Sequence, residues 1–500
     1  MKKYAFIHIL ILGLGSGQMY QPLDYEKTAT VFSPSALNML YEFIKIPNGS
    51  RDTENIERNV VWCMDRFTAL GFDSKTIRIG KTPFGLATKM IDKAKPTLLV
   101  YLQIDGQPVD PSKWDQADPY VPQVKRKGKP INWDQFIVNP NVNDKIYARS
   151  SSDSKGPAVS FISALEILKE RGQSLPYNLK VVMDFQEEIS SPDMPKFVQR
   201  NKRALQADYL LIMDGSRFTH NEPTLTFGAR GIAKMVLTVY GPKSPMHSGQ
   251  YGNFIPNPVF KAGKLISAMK DEDGRVLIPG WYDGISLSTR ERELLNTSNV
   301  DARELANQFG VADWDKVGTT YQEALQYPTL NIRGIQGGWV GKGVRTIIPD
   351  KVVIEIDIRL VPEKDGEDMV QMVRSYIQAQ GFHILKKDPT PKERKKFENL
   401  IKIESSIGYP AFQTPLDSPI GEWLTTAHKK ALGQSPIKYR RTGGSQPMAP
   451  FVKALGIPVA AVRIPNPDNN IHGPNENIRL GNFLEGIQIN LGILTTPFEN

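Results

Sequence analysis

The chain carries two hydrophobic patterns that follow one another along its length. In 'DTENIERNVVWCMDRFTALG' apolar residues recur at helical spacing between an aspartate and a glycine, which predicts a capped helix ending at Gly71. 'TLLVYLQ' is a short continuous apolar run and predicts a buried strand. The amphipathic 'KGPAVSFISALEILKERG' predicts another helix closed by glycine. 'NLKVVMDFQEE' and 'DYLLIMDG' predict further strands, with the helix-like 'DMPKFVQRNKRAL' between them. Buried strands that alternate with helices imply an α/β layer architecture with a mostly parallel sheet.

The middle of the chain reads differently. 'GIAKMVLTVYG', 'TLNIRGI' and 'KVVIEIDIRLV' tend to alternate apolar with polar, as half-exposed strands do, and 'PVFKAGKLISAMK' and 'GEDMVQMVRSYIQAQG' are helix-like. This predicts an inserted α+β unit with a one-sided antiparallel sheet. 'SPIGEWLTTAHKKALG' and 'PVAAVRI' then return to the first style. The expected division is a leader over 1–18, a catalytic domain over 19–220 and 413–500, and an insert over 221–412.

Composition narrows the class. A length of 500 residues, 40% hydrophobic and 23% charged, fits a globular protein of several domains. Lys2 and Lys3 precede the apolar 'YAFIHILILGLG' and the small residues of 'GSGQ', so the first 18 residues read as a signal peptide and the protein as secreted or periplasmic. About a dozen apolar residues fall short of the ~20 that span a bilayer, and no later stretch is longer, so no transmembrane segment is expected. Cys63 is the single cysteine, which excludes an internal disulfide and a cysteine-based zinc site. Any metal must be held by His, Asp and Glu. The net charge is +9, but the basic runs 'VKRKGK' and 'KERKK' are separated and lack interleaved aromatics. They read as solvated surface, and no nucleic-acid partner is expected.

The chemistry gathers where the strands end. Asp105 follows 'TLLVYLQ', Glu187 and Glu188 follow 'KVVMDFQ', Asp214 follows 'YLLIM', and His472 follows 'PVAAVRI' after a short loop. Asp153 stands just before a helix in 'SSSDSKGP'. Ligands of open parallel sheets bind at the carboxyl ends of the strands, so these groups point at one crevice. Each alone reads more simply as a turn residue, a helix cap or solvated surface. Together they form a donor set suited to Zn²⁺, Mn²⁺ or Co²⁺.

On these residues the chain resembles the M20 family of metallopeptidases, and within it the carnosine-dipeptidase-like branch. The resemblance runs through 'DGQPVDPSKWDQADPY', 'IYARSSSDSKGP', 'QEEISSPDM', 'LLIMDG', 'MHSGQYG', 'VRTIIPDKVVIEIDIRLVP', 'RTGGSQP' and 'IHGPNENI', in that order. It implies a zinc-peptidase catalytic domain with an inserted lid that also dimerises. It implies one or two Zn²⁺ per subunit, with Mn²⁺ or Co²⁺ as alternatives. Asp153 would bridge two ions, Glu188 and His472 would complete one site, and Asp214 with the residue at position 103 would complete the other. Glu187 would be the general base, and Asp105 would orient its neighbour by a hydrogen bond. His247 would reach into the partner subunit's site to stabilise the oxyanion, while Thr346, Arg359 and Ser445 would bind substrate. The alternation of 'VIEIDIRLV' sets Glu355, Asp357 and Arg359 on one face, and the resemblance turns that face to the cleft.

One position departs. The family has histidine where this chain has Gln103, a neutral and weaker ligand for zinc. Ser154 also stands where an acid is expected. Three outcomes stay open: an oxygen ligand at Gln103 with a shift towards Mn²⁺, a single ion at Asp153, Glu188 and His472, or a peptide binder without catalysis. Glu187, His247 and Arg359 are all present, so the leading expectation is a hydrolase of dipeptides or short peptides acting as a homodimer. An N-acyl-amino-acid deacylase and a non-catalytic peptide binder are the alternatives.

Overall fold

The structure is a computed structural model and describes residues 23–218, 220–297, 300–446 and 448–498. The residues that suggested a signal peptide lie outside this range. Among the described residues no helix is long and apolar enough to cross a membrane.

The fold is α/β, with a large, mostly parallel sheet of eight strands and a separate sheet of five. In the large sheet the strand Thr97–Gln103 lies between Asn178–Asp184 and Tyr209–Ile212, parallel to both, and Val459–Arg463 pairs parallel with Tyr209–Ile212. These strands are apolar on both faces because both are covered. One face packs on the helices Tyr25–Ile44, Lys155–Glu170, Pro419–Leu432 and Leu480–Thr495. The other packs on Met194–Arg200, Lys202–Leu205 and Ala449–Leu455. Cys63 is fully buried in the first of these cores, as its helix-like surroundings predict.

The five-stranded sheet is ordered Thr329–Gln336, Lys351–Leu360, Gly231–Tyr240, Leu400–Ile407 and His383–Leu385. Its first four strands pair antiparallel, and one face packs on the helices Pro258–Met269 and Gly366–Ala379 in a core of its own. The other face carries Glu355 and Arg359, as the alternation predicts, although Asp357 on that face is buried.

Several elements escape the hydrophobic pattern. The helix Tyr25–Ile44 contains Pro34, which reads as a breaker. The helix Leu480–Thr495 buries residues all round and so lacks the polar stripe that reveals a surface helix. The hairpin Asp73–Ile79 with Thr82–Lys89 turns at Gly80, whose φ of +61° suits glycine.

Candidate metal centre and substrate cleft

Four parallel strands end together and deliver polar groups to one crevice. Gln103 closes Thr97–Gln103 and is buried. Two residues on, Asp105 is wholly buried, and its two oxygens accept the backbone amides of Glu187 at 2.9 Å and Glu188 at 3.0 Å. Those glutamates form a single 3₁₀ turn, Glu187–Ile189, which Ser190 closes in the left-handed region at φ +73°. Asp105 therefore holds the turn that carries both glutamates, rather than orienting the side chain at position 103.

Asp153, Glu188 and His472 converge: donor atoms from the three all lie within 4.8 Å of one another. His472 Nε2 is 3.0 Å from Asp153 Oδ2 and 3.4 Å from Glu188 Oε2. Glu188 Oε2 accepts from Gln107 Nε2 at 2.6 Å, while the buried Oε1 has no partner. One imidazole and two carboxylates aimed at one point, with an orphaned buried oxygen, fit a divalent cation.

The loop bearing Asp153 is held by a group the sequence pattern does not single out. The buried Glu476 carboxylate accepts the amides of Ser150, Ser152 and Asp153, the Ser152 hydroxyl, and Arg149 Nη1 at 2.5 Å. Its position four residues after His472 in 'IHGPNENI' was the available signal.

Asp214 does not join the three ligands. Its Oδ1 accepts the Ser154 hydroxyl at 2.7 Å and its Oδ2 accepts Gln446 Nε2 at 3.3 Å. Arg359 lies on the strand Lys351–Leu360 of the five-stranded sheet, and its Nη1 donates to Ser445 Oγ at 3.2 Å. Arg230, also missed in the pattern, is close enough to Arg359 that burial and this second cation lower its pKa to about 10. His247 and Thr346 are exposed, on and just before the two-stranded ladder that pairs Met246–His247 with Ile347–Ile348. There His247 Nδ1 accepts the Gly249 amide and Thr346 O accepts the Ser248 amide.

The crowding of acids dominates the electrostatics. Burial, reinforced by Asp153, pushes the Glu188 carboxyl up to about 10. Burial and the charges of Asp214 and Asp153 hold Glu187 well above the carboxylate range. Burial and Asp184 raise Asp105 to about 8. The hydrogen bond to Asp153 raises His472. A cation placed among these groups reverses the penalty.

A convergent set of buried Asp153, half-buried Glu188 and exposed His472 at the carboxyl ends of parallel strands, with the carboxylate of Glu187 beside it, defines a metal-dependent hydrolase. The family model of Peptidase family M20/M25/M40 matches residues 102–496, and the chain belongs to that family. A Cys-Gly metallodipeptidase of Schizosaccharomyces pombe is 27% identical over 94% of this chain and 96% of its own. The human Beta-Ala-His dipeptidase is 26% identical over 81% of this chain and 76% of its own. The crystal structure of an M20 family metallo-carboxypeptidase from Sulfolobus solfataricus superposes with a TM-score of 0.75 at 28% identity, covering 92% of this chain and 98% of that one.

The same relatives correct the expectation of a secreted or periplasmic protein. Those aligned over more than nine-tenths of the chain include yeast Cys-Gly metallodipeptidases, and they lend secretion no support.

Proposed function

We propose that this chain hydrolyses the amide bond of dipeptides or short peptides, with Glu187 as general base. The observation that carries the reading is the convergence of Asp153, Glu188 and His472 beside Glu187. The metallodipeptidase relatives support this substrate class. A divalent ion held by Asp153, Glu188 and His472 supplies Lewis acidity when bound. Zn²⁺ suits this donor set best.

The protein's own groups carry the rest. A Glu187 carboxylate oxygen takes a proton from the attacking water and returns it to the leaving nitrogen. Asp105 keeps Glu187 in place by gripping the turn's backbone. Arg359, steadied by Ser445, offers a planar fork to the substrate's C-terminal carboxylate. A cleft of about 680 Å³ opens beside Glu188, lined by Gln107, Val109, Tyr120 and Arg51, which suits a short peptide.

The unit over 221–412 acts in this reading as a lid, with His247 and Thr346 meeting substrate. It is also the dimer contact. Phe260 on its helix is 75% exposed and Phe254 is 80% exposed, with Trp339, Val340 and Ile335 also open near the edge strand Thr329–Gln336. Apolar surface beside an open strand edge favours a second copy. Light scattering at micromolar concentration should give the mass of a dimer.

The test of the activity is hydrolysis of a dipeptide panel by the metal-supplied protein beside Glu187→Ala. Turnover that the variant loses establishes the peptidase. Absence of turnover together with retained peptide affinity makes the protein a binder.

A further inference from the structure

Three features surround Asp214, and none suits a cation. The family resemblance assigns a second ion to Asp153, Asp214 and residue 103. Here residue 103 is Gln103, buried, with its Nε2 lacking any acceptor. In either orientation its amide offers at most one neutral oxygen. The Ser154 hydroxyl is inserted between the carboxylates, 2.7 Å from Asp214 Oδ1 and 3.0 Å from Asp153 Oδ1. Gln446 Nε2 covers the other oxygen of Asp214. Both Asp214 oxygens thus face hydrogen donors.

The third feature is a fixed positive charge. Arg463 ends the strand Val459–Arg463, whose Ala461 pairs with Ile212, so Arg463 and Asp214 lie two residues beyond the same rung of adjacent parallel strands. Its guanidinium is buried, with Nε and Nη2 both on Thr226 Oγ1 at 3.2 and 2.9 Å. Its Nη1 packs so tightly over Gly215 that a Cβ there would fall 1.4 Å away. Asp214 and then Asp153 are the acids that offset the burial of this cation. A buried arginine stays charged and cannot leave, unlike a metal ion.

We infer that this chain binds a single metal ion, at Asp153, Glu188 and His472, and that Arg463, with Ser154 and Gln446, occupies the electrostatic role of the second ion beside Asp214. Beside the two acids that share a second cation in the family pattern, the protein here sets one fixed positive charge of its own. The inference rests on the metallohydrolase reading above.

The test is metal content by mass spectrometry on the full-length protein, equilibrated with excess Zn²⁺ and then freed of unbound ion. The wild type should retain one equivalent per chain and Glu188→Gln close to none. Gln103→His should still retain one, because Arg463 remains. Gln103→His combined with Arg463→Met should retain two. Two equivalents in the wild type overturn the inference and leave the hydrolase reading standing. No metal in the wild type removes both. Two equivalents in Gln103→His alone, or one in a folded double variant, overturn the part given to Arg463. The wild type and single variant decide the matter even where the double variant does not fold.

Discussion

The carboxylate of Asp105 accepts the backbone amide of Glu187, the residue proposed as base, from 82 positions away in sequence. Because the grip is on backbone, it fixes where the glutamate starts without touching its carboxylate. Asp105→Ala strands two N–H groups in a buried place, at about 1–3 kcal/mol each. We expect kcat to fall at least tenfold with KM little changed, and Asp105→Asn, with one acceptor oxygen, to lie between. Steady-state kinetics on one dipeptide separates these; a KM effect alone would assign Asp105 to substrate binding.

Glu476 and Arg149 form an ion pair with both side chains buried. Removing one partner of a buried pair costs about 3–5 kcal/mol. Glu476→Ala should lose stability on that scale in urea unfolding and should bind metal more weakly, since Asp153 loses the acceptor of its amide. Stability within about 1 kcal/mol of wild type would show that the loop stands without it.

His428 should make the fold sensitive to acid. It is fully buried, its Nδ1 bonded to Leu424 O and its Nε2 unpaired, and burial lowers its pKa to about 4 from an ordinary 6.5. The unfolded chain therefore binds a proton that the folded chain refuses between those values. Above pH 6.5 this costs nothing; as pH falls towards 4 the folded state loses up to about 3 kcal/mol. His428→Leu should flatten the stability profile between pH 6.5 and 4 while leaving the neutral value close to wild type. An unchanged acid limb would place the loss elsewhere.

Metal uptake should release protons. With Glu188 raised to about 10 by burial and Asp153, a proton sits on the acid cluster at neutral pH and must leave for a cation. Calorimetric heats of Zn²⁺ binding should depend on the ionisation enthalpy of the buffer, and affinity should weaken as pH falls from 8 to 6. Buffer-independent heats would mean that the cluster is already deprotonated.

Arg359→Ala should raise KM by tenfold or more for peptides with a free C-terminal carboxylate and leave C-terminal amides almost unaffected. Equal losses on both would remove Arg359 from the carboxylate site.

The sequence displayed the chemistry in part, for reasons that differ residue by residue. Asp153, Glu188 and His472 were visible because each follows a buried strand or precedes a helix, and the topology brings such ends together. The grip of Asp105 was not visible, since a side-chain bond to a distant backbone amide leaves no pattern. Glu476 looked like one more polar loop residue. Arg463 did carry a signal: a charge in the apolar strand 'PVAAVRI' demands a buried counter-charge. The helix Leu480–Thr495 was lost because complete burial erases periodicity.

The strand order also bears on how the chain is made. Val459–Arg463 lies between Tyr209–Ile212 and Thr224–Thr226, so a strand made late fills a gap within the sheet. During synthesis the earlier strands wait with open edges for more than two hundred residues, a period in which aggregation competes with folding. His472 and Glu476 arrive with that same late segment, so no metal centre can assemble on the ribosome before the sheet itself is closed. The hydrolysis proposed above would therefore become available only after this late strand has entered the sheet.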